Sequence, residues 1–235
     1  MISDRIRNRL RTLTSRRSTA KYQTPPTDPT APTVRLESVS KQFGSVTALD
    51  SVHYAFDRET IYGVTGPNGS GKTTLFEIIL RLRRPTAGVV TAPVPSDIGF
   101  SFQQPRFYGD LTVGENITVF ARLAGHVESD WKELLVSELR LDKVAHRPAR
   151  HLSGGFQKKL DIAIALLSKP DLVILDEPLS DVDALSRDRI IELLLAHVDD
   201  SGTVIISSHN HERVDPIVDT RIELHDGVLN DGVIK

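Results

Sequence analysis

An eight-residue stretch, GPNGSGKT at positions 66–73, constrains the fold of this 235-residue chain more than any other feature. It fits the pattern G-x-x-x-x-G-K-[ST] in full, after an apolar run over 61–65 and before a segment with helical character over 73–81. Glycines let the backbone wrap closely around an anion, which the positive end of the following helix also attracts. The pattern therefore predicts a strand, a polyphosphate-binding loop and a helix. In such a loop Lys72 contacts the β- and γ-phosphates and the Thr73 hydroxyl ligates Mg²⁺.

All residues of this loop, and the residue after it, are candidate contacts of a bound nucleotide. They are Gly66, Pro67, Asn68, Gly69, Ser70, Gly71, Lys72, Thr73 and Thr74. The alternative, a glycine-rich turn with a coincidental lysine, is disfavoured by the strand before the loop and the helix after it.

Two carboxylates follow a second apolar run, Leu172–Leu175, whose lack of polar residues is typical of a buried parallel strand. Asp176 and Glu177 would then lie at the carboxyl edge of the sheet, where open α/β sheets bind ligands. Adjacent strand residues point in opposite directions, so Asp176 can hold a magnesium ion while Glu177 acts as the general base on a water. An ordinary helix N-cap is the alternative, and the phosphate-binding pattern upstream favours catalysis.

The composition excludes several classes of protein. With 39% hydrophobic and 26% charged residues, the chain can bury a core and is not disordered throughout. It has no cysteine, hence no disulfide, thiolate metal site or cysteine nucleophile. Its eight histidines form no set with ligand spacing, and we expect no metal cluster. No apolar run is long enough to span a bilayer, so we expect a protein that stays inside the cell.

Charge is distributed unevenly along the chain. Residues 1–32 carry seven basic and two acidic side chains, a net charge of +5, so the other 203 residues carry −7 of the overall −2. A domain with this net negative charge repels the phosphates of nucleic acid, so we expect no nucleic-acid partner. Residues 22–33 contain four prolines, which is typical of a linker with polyproline character. We therefore predict a flexible basic extension over 1–33 and one folded domain over 34–235.

The basic extension has two possible roles. Apolar residues at near-helical spacing among the arginines of residues 2–17 could lie on an anionic membrane surface, or the segment could be a solvated arm. In both cases, removal of residues 1–32 is expected to leave catalysis unchanged.

A third motif makes a family resemblance specific. Residues 152–157 read LSGGFQ and precede a helix predicted over 158–167. Serine and two glycines before a helix indicate no more than an N-cap when they stand alone. Together with the phosphate loop and the acidic pair, in this order, the hexapeptide resembles the signature motif of ATP-binding-cassette (ABC) ATPases. The resemblance covers roughly residues 34–230.

The resemblance implies an α/β fold of the P-loop NTPase type. It has a RecA-like core with a mostly parallel sheet, an antiparallel β-subdomain, and an α-helical signature subdomain over about 105–165. It implies ATP and Mg²⁺ as ligands. It also implies a dimer, of identical or different ATPase subunits, in which Ser153, Gly154 and Gly155 contact the ATP bound by the other chain.

Further site residues are assigned by the same resemblance. Gln103 is similar to the Q-loop glutamine, which contacts Mg²⁺ and the attacking water, although Gln104 is a rival. Asp183 resembles the D-loop aspartate, while the two residues before it depart from the family pattern. His209 matches the switch histidine that contacts the γ-phosphate, and Phe43 matches the aromatic residue that stacks on adenine.

One segment departs from the family in length. Between Thr86 and Ile98 family members usually carry a longer β-hairpin, and the segment 87–97 is short. A smaller β-subdomain is therefore expected.

The leading functional hypothesis is the ATP-hydrolysing subunit of an ABC transporter, bound to a separate membrane permease at the cytoplasmic face of the cell membrane. Residues 111–125 resemble the helical subdomain of exporter-type bacterial and archaeal subunits, which favours export. Residues 103–111 would dock the permease through Phe107 and Tyr108, unless both rings pack inward. The alternative is a soluble single-cassette ATPase without a permease, for example in iron–sulfur assembly.

Overall fold

Two β-sheets organise the chain in a computed structural model, which describes residues 20–28, 30–180, 182–208 and 215–234. The strands within these residues are β1 (Lys21–Gln23), β2 (Val34–Phe43), β3 (Val46–Phe56), β4 (Ile61–Thr65), β5 (Ala87–Thr91), β6 (Ile98–Ser101), β7 (Leu172–Asp176), β8 (Thr203–Ser207), β9 (Thr220–His225) and β10 (Val228–Ile234). The helices are α1 (Lys72–Ile79), α2 (Val113–Ala124), α3 (Ser129–Glu138), α4 (Gly154–Leu166) and α5 (Ala184–Asp199).

The larger sheet has the strand order β10-β9-β4-β8-β7-β6 and is parallel except for the β9–β10 hairpin. Every residue of β4, β7 and β8 is buried, which explains why these strands are almost continuously apolar. The mostly parallel sheet implied by the family resemblance is confirmed. Because the strands are parallel, the phosphate loop after β4 and the carboxylates after β7 meet at one edge.

The two faces of this sheet pack against different cores. Val173 and Leu175 of β7 join the core of the helical region, whereas Leu172 and Ile174 join the core around α1 and the smaller sheet. This alternation is the period-two pattern of a strand that is buried on both faces. The sheet therefore separates a helical layer from a mixed layer.

The smaller sheet has the order β1-β5-β2-β3, and its outermost strand comes from the segment predicted to be a linker. Lys21 lies opposite Val89 in a parallel pairing between β1 and β5. The Tyr22 hydroxyl lies 3.1 and 2.8 Å from the carbonyl oxygens of Ile78 and Arg83 and donates to them, and its ring packs against the adjoining core.

The linker prediction is therefore wrong at the start of the segment 22–33. A large aromatic side chain that can be buried outweighs the polyproline character of the prolines that follow it. The short segment 87–97 provides the position, because it contributes only β5 and a single 3₁₀ turn at Pro95–Asp97 before β6. Strand β1 thus pairs with the free edge of β5, which the longer hairpin expected of family members would otherwise cover.

The helical region over 105–165 contains α2, α3 and all of α4 except its last residue. Helix α2 begins with a capping box, in which the Thr112 hydroxyl accepts from the Glu115 N–H and the Glu115 carboxylate accepts from the Thr112 N–H. Helix α4 packs on β6 and β7 and thereby joins the helical region to the parallel sheet. Within the described residues, no helix has the length and apolar character needed to cross a membrane.

Candidate nucleotide-binding site

The loop between β4 and α1 has a backbone that requires glycine at two positions. Gly66 and Gly71 have φ angles of 142° and 110°. A Cβ atom at Gly66 would collide with the carbonyl of Leu224, and one at Gly71 with the carbonyl of Ala48. Neither clash involves a flexible side chain, so the local structure would have to shift. The neighbouring strands therefore hold the loop in the shape predicted for phosphate binding.

Lys72 points back over this loop. Its Nζ donates to the carbonyls of Gly66 at 2.6 Å and Pro67 at 3.0 Å. Burial lowers the pKa of Lys72, while the carboxylates of Glu177 and Asp176 act to raise it. The two carboxylates favour the charged ammonium form of Lys72. Because that ammonium is partly shielded from water, its attraction for a bound polyphosphate is strong.

Asp176 meets α1 from the opposite side of the site. Its Oδ2 accepts from the Thr73 hydroxyl at 3.4 Å, and its Oδ1 accepts from the Ser207 hydroxyl. Two predicted magnesium ligands, Thr73 and Asp176, therefore lie together, and both offer the oxygen atoms that a hard cation prefers. Among the described residues no three His, Asp or Glu side chains converge.

Glu177 follows Asp176 and has a strained backbone. Its φ angle is 52°, in the left-handed region that a residue with a side chain rarely adopts. The Glu177 N–H donates to the Ser207 hydroxyl at 3.1 Å, and its carbonyl accepts from the Ser180 hydroxyl at 2.8 Å. Such a conformation persists only where neighbours hold it, and it is common at active sites.

One cavity of about 370 Å³ brings three separate motifs together. Its walls are Ala48, Asn68, Gly69, Gly71, Lys72, Thr73, Thr74, Gln103, Asp176 and Glu177. The cavity has the size of a small-molecule site, and its walls combine a cation, two carboxylates and two side-chain amides. Gln103, rather than its rival Gln104, is the glutamine that lines it.

Two residues of this site were missed by the sequence analysis. Ala48 lines the cavity but carries no chemical signal. Ser207 supports both Asp176 and Glu177, and a signal was available. It is the polar last residue of an otherwise apolar strand, and Asp176 lies opposite Ser207 in the parallel register of β7 and β8.

The signature residues lie outside the cavity. Ser153 is the N-cap residue of α4, is exposed, and makes no side-chain capping hydrogen bond. A Cβ atom built on Gly154 meets no other atom within 4 Å. The start of α4 is therefore open toward solvent, although its first N–H groups lack partners within the helix.

The remaining predicted contacts are also separate from the cavity. Asp183 is the N-cap residue of α5, where Oδ1 accepts from the Ser186 N–H at 2.9 Å and Oδ2 from the Ser186 hydroxyl at 2.6 Å. These bonds lower the pKa of Asp183. The Phe43 ring is 41% exposed, with the Lys41 Nζ and Arg83 Cζ atoms 5.1 and 4.9 Å from its centre. His209 lies outside the described residues.

Comparison with known proteins agrees with this geometry. Residues 49–180 match the profile of the ABC transporter family. The chain belongs to the ABC transporter family. It is an ABC ATPase, which binds ATP and hydrolyses it.

Two curated relatives of this ABC ATPase act in transport. The bacitracin transport ATP-binding protein BcrA of Enterococcus faecalis is 31% identical over 207 residues, which cover 83% of this chain and 67% of the relative. The Nod factor export ATP-binding protein I of Sinorhizobium fredii is 33% identical over 199 residues. That match covers 79% of this chain but only 58% of the relative.

Solved structures share the fold of this ABC ATPase. The ATP-binding subunit of an ABC transporter superposes with a TM-score of 0.79 at 23% identity, over 84% of this chain and 89% of that one. A dimeric bacterial ABC transporter cassette has a TM-score of 0.74 at 26% identity, over 84% and 98%. A post-hydrolysis state of a cassette, bound to ADP and phosphate, has a TM-score of 0.73 at 27% identity.

Proposed function

We propose that this ABC ATPase works as a pair of cassettes that power export through a separate permease at the cytoplasmic face of the cell membrane. The observation that carries the pairing is the division of the site. Lys72, Asp176 and Glu177 line one cavity, whereas the signature residues Ser153 and Gly154 lie exposed outside it. A complete site then needs the signature loop of a second chain.

The pairing accounts for the open start of α4. Unpaired N–H groups and the positive end of a helix attract an anion, and the γ-phosphate bound by the partner cassette is such an anion. Ser153, Gly154 and Gly155 would donate to it across the interface. The dimeric cassette among the structural neighbours supports this arrangement. The partner can be a second copy of the chain or a related subunit.

The charged and catalytic groups of the cavity have separate proposed tasks. Lys72 and the backbone of the phosphate loop bind and orient the triphosphate. Mg²⁺, when bound by Thr73, Asp176 and Gln103, would neutralise charge that develops on the phosphate oxygens. Glu177 takes the proton of the attacking water, and the backbone bonds at its N–H and carbonyl hold it in place.

Three predicted contacts complete the proposed site. His209 contacts the γ-phosphate and Phe43 stacks on adenine. Asp183 lies at the interface and couples the nucleotide sites of the two cassettes. Phe43 is exposed enough to receive a base. These assignments depend on the family resemblance and not on membership of the cavity.

The permease would dock in a groove between the parallel sheet and the helical region. A cavity of about 390 Å³ lies there, with Phe100, Phe120 and Leu123 on its walls. Leu123 is 70% exposed, and Tyr108 is 52% exposed with its ring 5.7 Å from that of Phe120. Exposed apolar side chains around a groove are typical of a protein interface.

The two aromatic residues expected to anchor the permease have different surroundings. Phe107 is partly buried against the core of the helical region, whereas Tyr108 is exposed beside the groove. Tyr108 is therefore the better anchor. The names of the relatives, bacitracin transport and Nod factor export, support export over the soluble assembly alternative.

The pairing is tested with Glu177→Gln, which should retain ATP and lose at least about 100-fold in turnover. The trapped ATP should hold two chains together, so light scattering should give twice the monomer mass with ATP and the monomer mass without it. Glu192→Gln, an exposed residue of α5, is the matched control and should behave as the wild type. A Glu177→Gln protein that stays monomeric with bound ATP would contradict pairing between two copies of this chain and leave pairing with a related subunit.

A further inference from the structure

Helix α4, which begins at the signature motif, buries charged side chains where α1 buries only apolar ones. Lys158 and Asp161 are 4% and 3% exposed. Removal of a charge from water is costly unless strong hydrogen bonds replace the lost hydration. Both side chains make such bonds, and both make them to the segment that contains Gln103.

Asp161 joins the two ends of this segment. Its Oδ2 accepts from the hydroxyl of Ser101, the last residue of β6, at 2.5 Å. Its Oδ1 accepts from the N–H of Arg106 at 2.8 Å. The four residues 102–105 therefore form a loop whose start and end are held by one carboxylate of α4.

Lys158 holds the same loop one turn earlier in α4. Its Nζ donates to the carbonyl of Phe102 at 3.0 Å and to the carbonyl of Asp176 at 3.3 Å. It thus links the residue before Gln103 to the end of β7. The Arg106 guanidinium, whose Cζ is 4.6 Å from the centre of the Phe102 ring, closes the loop from its other end.

We propose that Lys158 and Asp161 are positioning residues, which hold the loop 102–105 closed so that Gln103 stays at the nucleotide cavity. The proposal rests on the proposed role of Gln103 in binding Mg²⁺ and water. Asp161 and Arg106 also line the groove proposed for the permease. A rearrangement in that groove would then reach Gln103 through the same contacts.

The design of the test depends on two variants of Asp161. Asp161→Ala removes both contacts and should lower kcat about 10- to 100-fold, the range expected when an active-site group is displaced by about 1 Å. Asp161→Asn retains both contacts, because its oxygen can accept from Arg106 and its amide can donate to Ser101. It should stay within about 3-fold of the wild type. Asp188→Ala, an exposed residue of α5, is the control.

A mutant cycle separates positioning from general damage. In a Gln103→Ala background, Asp161→Ala should cause no further loss of kcat, because the group that it positions is already absent. Binding of ATP without Mg²⁺ should be unchanged in every variant, and circular dichroism should confirm that they fold. An equal loss of kcat in both backgrounds would overturn the proposal.

Spin labels measure the loop directly, since the chain has no cysteine of its own. Labels at Gln104→Cys and Leu195→Cys, two exposed positions, should give a narrow distance distribution in the wild type. The distribution should broaden in Asp161→Ala and stay narrow in Asp161→Asn. A narrow distribution in Asp161→Ala would also overturn the proposal. If Gln103→Ala itself leaves kcat unchanged, the role of Gln103 fails, and the label distances alone decide whether the loop is held.

Discussion

Two glycine-rich loops of this ABC ATPase each begin a helix, yet their surroundings are opposite. The loop 66–71 is enclosed by β3 and β9, and Ser70 within it is buried. The loop 152–154 has an exposed serine and a glycine with free space around it. The first loop is shaped by its own chain before any ligand arrives. The second loop also begins a helix with serine and glycine, but within the described residues no other segment packs against Gly154. This is the state expected of a surface that binds a second cassette.

The largest expected effect comes from the enclosed loop. Lys72→Ala removes the only charged side chain of the phosphate-binding motif 66–73, which this loop begins, and the phosphates would then lose their only ammonium partner there. We expect kcat/KM for ATP to fall at least about 100-fold. Steady-state hydrolysis measures this loss. Lys132→Ala, on the remote helix α3, is the control. Comparable losses of kcat/KM in both variants would show that the effect of Lys72→Ala is not specific to the phosphate-binding loop.

Matched glycine variants sharpen the comparison. Gly71→Ala places a Cβ against the backbone of Ala48 at a φ of 110°, and we expect a loss of about 2–4 kcal/mol in the free energy of unfolding. Gly154→Ala meets no neighbour and lies in a helix, so its stability should be unchanged or higher by up to about 1 kcal/mol.

Urea unfolding measures both changes. Gly154→Ala should nevertheless lower turnover, because the added methyl group intrudes between the signature loop and the partner's phosphate. Full turnover in Gly154→Ala would show that this loop does not approach a nucleotide.

Truncations test how the enclosed loop is supported. Tyr22 of β1 bonds to the carbonyl of Ile78 at the end of α1, the helix that the phosphate loop begins. Removal of residues 1–32 should therefore lower the free energy of unfolding by about 2–4 kcal/mol, the usual effect of losing a packed aromatic residue. Removal of residues 1–19 spares β1 and should leave stability and ATP hydrolysis unchanged. Equal stability of the two truncated chains would show that β1 supports nothing.

The smallest expected effect is a pH dependence of α4. Burial raises the pKa of Asp161 from 3.8 to about 6, against the opposing hydrogen bonds from Ser101 and Arg106. The folded state therefore binds this proton more tightly than the unfolded state does. The resulting stability is fully present below pH 3.8 and is lost as the pH rises through about 6.

Between pH 5 and pH 7 the wild type should accordingly lose about 1 kcal/mol relative to Asp161→Asn, which cannot titrate. Urea unfolding of both proteins at the two pH values measures the difference. A constant difference would mean that Asp161 does not titrate in this range. Helix α1 buries no charge, so no matching effect is expected from it.

Prediction from sequence succeeded where the pattern was local. The strand at 61–65 has the predicted bounds, and the apolar run 172–175 lies in strand β7, because each is a buried run whose boundary is marked by a polar residue or glycine. The cavity brings Lys72, Asp176 and Gln103 together. The roles of these residues stay predictions, and His209 lies outside the described residues.

Contacts between residues far apart in the chain could not be predicted from the sequence. Tyr22 resembled part of a proline-rich linker because its partners, Ile78 and Arg83, are more than 50 residues away. Nothing in the local sequence marks Lys158 and Asp161 as buried, and the sequence analysis assigns them no role. Their burial depends on how α4 packs on β6 and β7, and helical periodicity carries no information about that contact.

The single tryptophan of this chain has an optical consequence. Trp131 is 7% exposed in α3, its indole N–H donates to the carbonyl of Leu166 at 2.8 Å, and the Lys169 Nζ atom lies 5.2 Å from its ring. Its emission should therefore be blue-shifted and sensitive to the contact between α3 and the end of α4. A nucleotide-dependent change in tryptophan emission would therefore report on the packing around Trp131 in the helical region, without an added dye.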